Sequence, residues 1–150
     1  MITNIHIQAE DFDVSDEIAA LTEETPQTGA VATFVGLVRG GDDLTALTLE
    51  HYPGMTEQQI ARIAEDAARR WALTGITVIH RVGRLTPGER IVFVAVAAMH
   101  RAEAFEACEF LMDYLKTKAP FWKQEERGGA VQWVEAKLSD DAAAERWRRR

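Results

Sequence analysis

Cysteine is almost missing from this chain: Cys108 stands alone among 150 residues. One thiol builds no disulfide framework, no cysteine-based zinc site and no Cys-x-x-Cys redox pair. Long apolar runs are missing too. The longest, Ile91 to Met99, covers nine residues, whereas a membrane-spanning helix needs about 20. No Lys or Arg precedes Arg39, so no positive segment leads into an apolar one as in a secretory leader. These gaps predict a cytoplasmic chain in a reducing setting. No repeat and no Pro/Gly/Ser-rich linker appears, so residues 1–150 read as one domain, with about 139–150 as a peripheral C-terminal helix and basic tail. The common catalytic signatures are also missing: no G-x-x-x-x-G-K-[ST], G-x-G-x-x-G, H-E-x-x-H or G-x-S-x-G occurs.

What is present is an ordinary globular composition, 47% hydrophobic and 27% charged, with an uneven charge. The net charge of −7 comes from 17 basic and 24 acidic residues. All of the excess lies in residues 1–38, where Glu10, Asp11, Asp13, Asp16, Glu17, Glu23 and Glu24 meet no Lys or Arg. An acidic chain is a poor general nucleic-acid binder, because phosphate neutralisation supplies most of that affinity. The acidic head reads as solvated surface. The terminal RWRRR reads as a frayed tail or as a docking patch for an acidic partner.

Apart from a short helix near the start, periodicity gives the order β, β, β, α, β, β, α, β, β, α. Residues 2–7 alternate like a half-buried strand, and residues 13–22 suit a short helix capped by Asp13 or Ser15. Strands follow at 30–38 and 44–51. Thr56 with Gln59 forms a capping box for a helix carrying Ile60, Ile63, Ala64, Ala67 and Trp71 at helical spacing. Strands at 76–82 and 90–98 flank a Pro87-Gly88 turn, the second of them buried on both faces. A second long helix runs from Ala102 to Thr117, with Phe105, Cys108, Leu111, Met112 and Leu115 on its apolar side and Pro120 ending it. Strands at 121–125 and 130–138 and a short helix capped by Ser139 complete the chain. The fold class is α+β, with helices packed on a mixed, largely antiparallel sheet.

Few residues invite chemistry. His6, His51, His80 and His100 are scattered without paired ligand spacing, so they do not read as a metal site. Cys108, on an apolar helix face, reads as a buried inert thiol. Cations at the ends of elements are more distinctive. Arg39 closes a strand at a Gly-rich turn, and His100-Arg101 stands where a buried strand meets a helix start, a natural anion site. Arg101 pairing with Glu103 would be the plainer account. Lys116, Lys118 and Lys123 surround a proline and two aromatics. Lysines placed so can act as acid, base or covalent partner, while a solvated helix end explains them equally simply.

Longer strings decide between these readings. ALTLEHYPGM (46–55), TVIHRVGRLTPGE (77–89), MHRAEAFEA (99–107) and DYLKTKAPFWK (113–123) occur in order, between FVGLVR (34–39) and WVEA (133–136). Together they resemble the MoaE family, the large catalytic subunits of molybdopterin synthase. The resemblance implies the α/β hammerhead fold of that family. It also implies an enzyme that builds the dithiolene of molybdopterin on cyclic pyranopterin monophosphate, without a metal or cofactor of its own. Sulfur would come from the C-terminal Gly-Gly thiocarboxylate of a small ubiquitin-like subunit, one docked on each side of a homodimer of large subunits. That suits a chain without a reactive thiol.

Carried over residue by residue, the resemblance makes Lys116 the lysine beside the inserted tail and Lys123 the acid/base for water loss and ring opening. Arg39, His100 and Arg101 would hold substrate anions, the His-Arg pair reaching in from the neighbouring protomer. Leu37, Val38, Gln124 and Glu125 complete the implied substrate contacts. Phe34, Pro120, Phe121 and Trp122 would wall the tail channel. Two departures stand out: the turn GGDDLT (40–45) is short, and Leu37 occupies a position where a polar residue is common. Two other classes remain to be weighed. A non-catalytic module that only docks a ubiquitin-like tail should have lost one of the lysines or the His-Arg pair. An RNA-binding module would need a basic face.

Overall fold

The computed structural model describes residues 1–134 and 138–149. Thirteen elements follow the predicted order, with one short strand and a terminal turn added. They are β1 (Ile2–Gln8), α1 (Val14–Thr22), β2 (Ala30–Leu37), β3 (Leu44–His51), α2 (Met55–Arg70), β4 (Leu73–Arg81), β5 (Gly83–Leu85), β6 (Arg90–Ala98), α3 (Arg101–Leu115), β7 (Phe121–Arg127), β8 (Ala130–Val134), α4 (Leu138–Glu145) and a 3-10 turn (Arg146–Arg149).

The strands form two sheets where one was expected. The first has the order β1-β4-β6-β2, with β1 parallel to β4 and the other pairs antiparallel; the second, β5-β3-β7-β8, is wholly antiparallel. Gly83 makes the division. Its φ of 92° lies where glycine pays no steric penalty, and it turns the chain from the end of β4 into the second sheet.

β6 explains why the first sheet is the centre of the molecule. Val92, Val94, Val96 and Ala98 face the cluster under α2 and α3, and Phe93, Ala95 and Ala97 face a second cluster with Phe12 and Leu21 beside α1. A strand covered on both sides reads as an unbroken apolar run. A third cluster, Val38, Leu47, Leu49 and Leu85, ties the end of β2 to the second sheet.

Three expectations about α2 and α3 need correction. Thr56 does not cap α2. Gly54 does, its N–H donating to Glu57 Oε2 at 2.6 Å, while Thr56 is fully buried inside the first turn. Phe105 is not on the apolar face of α3 but 65% exposed. The buried arc leans instead towards Phe110, which meets Trp71 and Trp147 edge-on. Nor does Pro120 end that helix, which is capped at Lys116.

The basic end is not frayed. Trp147 is 1% exposed, its Nε1 donates to Asp113 Oδ2 at 2.7 Å, and its carbonyl accepts from Arg70 Nη1 at 2.9 Å. Arg146 pairs with both Glu109 and Asp113. Acids on α3 thus neutralise an arginine that composition assigns to solvent. α4 begins at Leu138, so Ser139 lies inside it, and the predicted strand end at 135–137 lies outside the described residues.

Candidate functional site

α3 lies on the first sheet through Ala104, Ala107, Cys108, Leu111 and Leu115, and this packing delivers Lys116 to one end of that sheet. Lys116 is the C-cap, its backbone N–H bonded to Met112 O at 3.2 Å and its side chain exposed. The chain then turns tightly, with Lys118 N–H on Tyr114 O at 2.7 Å, and enters β7 at Phe121. Thr56 braces that entry: its hydroxyl accepts from Tyr52 N–H at 3.2 Å and donates to the Pro120 carbonyl at 3.4 Å.

β7 pairs with β3 so that Phe121, Lys123 and Glu125 stand opposite His51, Leu49 and Leu47. Leu47 and Leu49 are buried, so this is the inward face. Trp122 and Gln124 belong to the other face. Trp122 stacks edge-on against Tyr52 at 4.1 Å, and it shares that exposed face with Trp133 and Val131. Trp122 therefore cannot wall a channel together with Phe121. Strand alternation sends the two rings apart.

Sequence spacing missed one titratable group at this end. His80, on β4, stacks its ring on Phe121 with centroids 3.9 Å apart, and the charges of Lys116, Lys123 and His51 all bear on it. Burial is the main cause that lowers the His80 pKa to about 4, and the neighbouring cations add to it. His51 Nε2 lies 3.8 Å from Glu57 Oε1. His80 thus lies within the field of both lysines and of a second histidine far away in sequence, and the only early signal was the presence of the two histidines inside the strings EHYPGM and VIHRVGR.

Arg39 reaches the same end of the molecule by a different route. Val38 is buried against Leu47 and Leu49, and its N–H and C=O are both used, on Glu89 O and Gly88 N–H at 2.8 Å. Val38 therefore anchors Arg39 and offers no contact of its own. Glu125 also acts as a brace: it holds Arg127 at 2.8 Å, and Arg127 donates to the Asp42 carbonyl at 2.6 Å, tying down the turn after Arg39. In that turn Gly41, Asp42 and Asp43 all have positive φ, 102°, 51° and 62°; aspartate tolerates this region better than most residues. Phe34 lies over Gly36, where an added Cβ would come within 3.2 Å of the ring. Leu37 is 55% exposed beside it.

His100 and Arg101 occupy the opposite end. The pairing of β2 with β6 runs from Ala30 opposite Ala98 to Leu37 opposite Arg90, a span of about 23 Å at strand rise. α3 separates Arg101 from Lys116 by a further measure of about 22 Å. Here a cleft of about 430 Å³ is lined by Gly29, Ala30, Met99, His100, Arg101 and Ala102. His100 is the N-cap but makes no side-chain cap bond, which leaves first-turn N–H groups open to an anion. Arg101 makes no ion pair among the described residues, with Glu103 or any other acid.

Other chemistry has little footing. Among the described residues no three His, Cys, Asp or Glu side chains could hold a metal ion, and no helix is long and apolar enough to cross a membrane. Burial pushes the Cys108 thiol up to about 11, far from the thiolate needed for attack. Iodoacetamide at pH 7.5 should leave the native chain unlabelled and label it fully in denaturant. Rapid labelling of the native chain, read by mass, would contradict a buried, inert thiol.

The two-sheet α+β domain thus carries lysines at one end and, at the other, a basic helix start without a side-chain cap bond, an arrangement suited to anions. Comparison with known proteins narrows the reading. The family model described as MoaE protein matches residues 7–118. The molybdopterin synthase catalytic subunit of Mesorhizobium japonicum is 56% identical over 96% of this chain and 92% of its own. The solved MoaE protein of Burkholderia ambifaria superposes with a TM-score of 0.86 at 52% identity, covering 98% of this chain and 99% of that one. The same fold recurs, at TM-score 0.73 and 21% identity, in a complex of subunits 1 and 2 of molybdopterin-converting factor from Helicobacter pylori, over 91% of this chain and 92% of that chain. The chain belongs to the MoaE protein family.

Proposed function

We propose that this chain is the catalytic subunit of a molybdopterin synthase, a sulfurtransferase of molybdenum cofactor biosynthesis working in the cytoplasm. It takes sulfur from the C-terminal thiocarboxylate of a small ubiquitin-like subunit and places it on cyclic pyranopterin monophosphate. The observation that carries this reading is the division of the cations between the two ends of α3, in a chain with no reactive thiol of its own. Sulfur must then arrive from outside, and both the arriving tail and the substrate are anions.

In each transfer the thiocarboxylate sulfur forms a bond to a substrate carbon while a carbon–oxygen bond there breaks, the oxygen leaving as water or with the opened phosphate ester, and the tail stays joined as a thioester. Water then cleaves the acyl–sulfur bond, which frees the tail as a carboxylate and leaves the sulfur on the substrate. Lys116, exposed at the helix end, polarises the acyl carbonyl and assists that hydrolysis. Lys123, on the inward face of β7 beside Phe121, moves protons for water loss and ring opening. Arg39, with Phe34 and Leu37 exposed before it, receives the substrate at this end, and Pro120 and Phe121 border the tail's path. Gln124, on the outward face, is a weaker candidate for contact than its neighbours.

His100 and Arg101 lie too far from Lys116 to serve the same site within one chain. A homodimer resolves this, with each site built from the lysine end of one protomer and the His-Arg end of its partner; two small subunits make the assembly a heterotetramer. Mixing tests it. Lys116→Ala and Arg101→Ala chains, each nearly inactive at low substrate, should regain about a quarter of normal turnover when refolded together. Half of randomly formed dimers are mixed, and each holds one intact site of two. A mixture as inactive as its components would place the whole site in one chain.

A further inference from the structure

His80 ends a row of side chains that the first sheet presents to α2 and α3, with Ile76 and Val78 before it at alternate positions. Two contacts fix its ring. One is the stack on Phe121, 20° from parallel. The other joins Nδ1 to the Arg81 carbonyl oxygen at 2.9 Å. A carbonyl can only accept, so Nδ1 carries the proton and Nε2 of the neutral ring keeps its lone pair. Among the described residues no protein group hydrogen-bonds to Nε2. The charged groups around the ring come from four elements: Lys116 at the end of α3, Lys123 on β7, His51 on β3 and, beyond His51, Glu57 on α2.

We propose that His80 is a positioning residue for the lysine pair, its anchored ring offering Nε2 as a fixed neutral acceptor to the ammonium groups of Lys116 and Lys123. The inference rests on those lysines being the reacting amines. An imidazolium here would add a like charge beside two ammonium groups, and burial with those same charges keeps the ring neutral down to about pH 4. A neutral acceptor orients an ammonium without neutralising it. It also favours the charged form of whichever amine donates to it, so its removal moves the amine's titration to lower pH.

The first test needs no substitution in His80 itself. Ring nitrogen shifts of the histidine-labelled chain, bound to its small subunit, should show His80 as the neutral Nδ1–H tautomer above about pH 5. The Nε2 shift should change in Lys116→Met. An Nε2–H tautomer, or protonation at an ordinary histidine pH, would overturn the proposal. The second test uses His80→Phe, which keeps a ring on Phe121 but removes both nitrogens. kcat should fall about tenfold with KM little changed, the lysine limb of its pH profile should move to lower pH, and His80→Gln should recover part of the loss. A kcat and limb equal to those of the unsubstituted chain would make His80 a packing residue only. If His80→Phe fails to fold, the nitrogen shifts decide alone. An unsubstituted complex that makes no dithiolene would count against the synthase reading, and the tautomer measurement would still judge His80.

Discussion

Lys116→Ala lowers dithiolene formation by about a hundredfold or more, the scale for losing a positioned proton-transfer group, while the chain still folds and still binds its small subunit. The fold survives because the C-cap bond uses the Lys116 backbone and not its side chain. What the fold loses is a cation near the helix C-terminus, worth about 0.3–1 kcal/mol at an exposed site. Lys118→Ala is the matched control. Its side chain lies apart, in a shallow cleft with Asp141, Glu145 and Arg148, and turnover should stay near normal. Product measured after a single addition of thiocarboxylated small subunit separates the two variants. Normal turnover in both, with tight partner binding, would leave a docking module and no catalyst at this helix end.

Trp147→Ala should be the most destabilising single change near the end of the chain. Trp147 is fully enclosed, meets Trp71 and Phe110 edge-on at 5.6 and 5.5 Å, and donates a hydrogen bond to Asp113. Truncating a buried tryptophan costs about 3–5 kcal/mol. In a domain of this size each kcal/mol moves Tm by roughly 2–4 °C, so a fall of about 10 °C is expected. Arg70 would lose an ordered carbonyl partner as the turn loosens, though it keeps its place over the Phe110 ring at 4.7 Å. The lysine cluster lies at the other side of the α3 C-terminus, so turnover per folded chain should hold at permissive temperature. Thermal unfolding within about 2 °C of the unsubstituted chain would return the terminal turn to the solvent.

How much of this was legible in advance depended on where each residue's partners lay. β6 could be read from its own letters, because a strand buried on both faces needs nothing but apolar residues. The family strings, and not periodicity, singled out Lys116, Lys123, Arg39 and the His-Arg pair. The cap of α2 was misread because Thr-x-x-Gln satisfies a local pattern, while the cap lies two residues earlier, with Glu57 accepting from the Gly54 N–H. RWRRR looked solvated because the acids that pair with Arg146 lie on α3, more than thirty residues back. His80 looked isolated for the same reason: the groups around it come from four other elements. Trp122 is different. The two-residue period of a strand already separated it from Phe121 and Lys123, and that signal was available in the sequence.

In the proposed dimer α3 has a different duty at each of its ends, and those ends serve different reaction centres. Its length is therefore a shared gauge. One residue inserted between Ala104 and Leu111 would lengthen the helix by about 1.5 Å and rotate one end against the other by about 100°, so a single error would misalign the anion grip of one centre and the amine of the other. Apart from Glu109 and Asp113, which hold the terminal turn, composition along the solvent side of this helix is free to drift. Its count of turns is not, and the two centres of the proposed assembly are geared to each other through it.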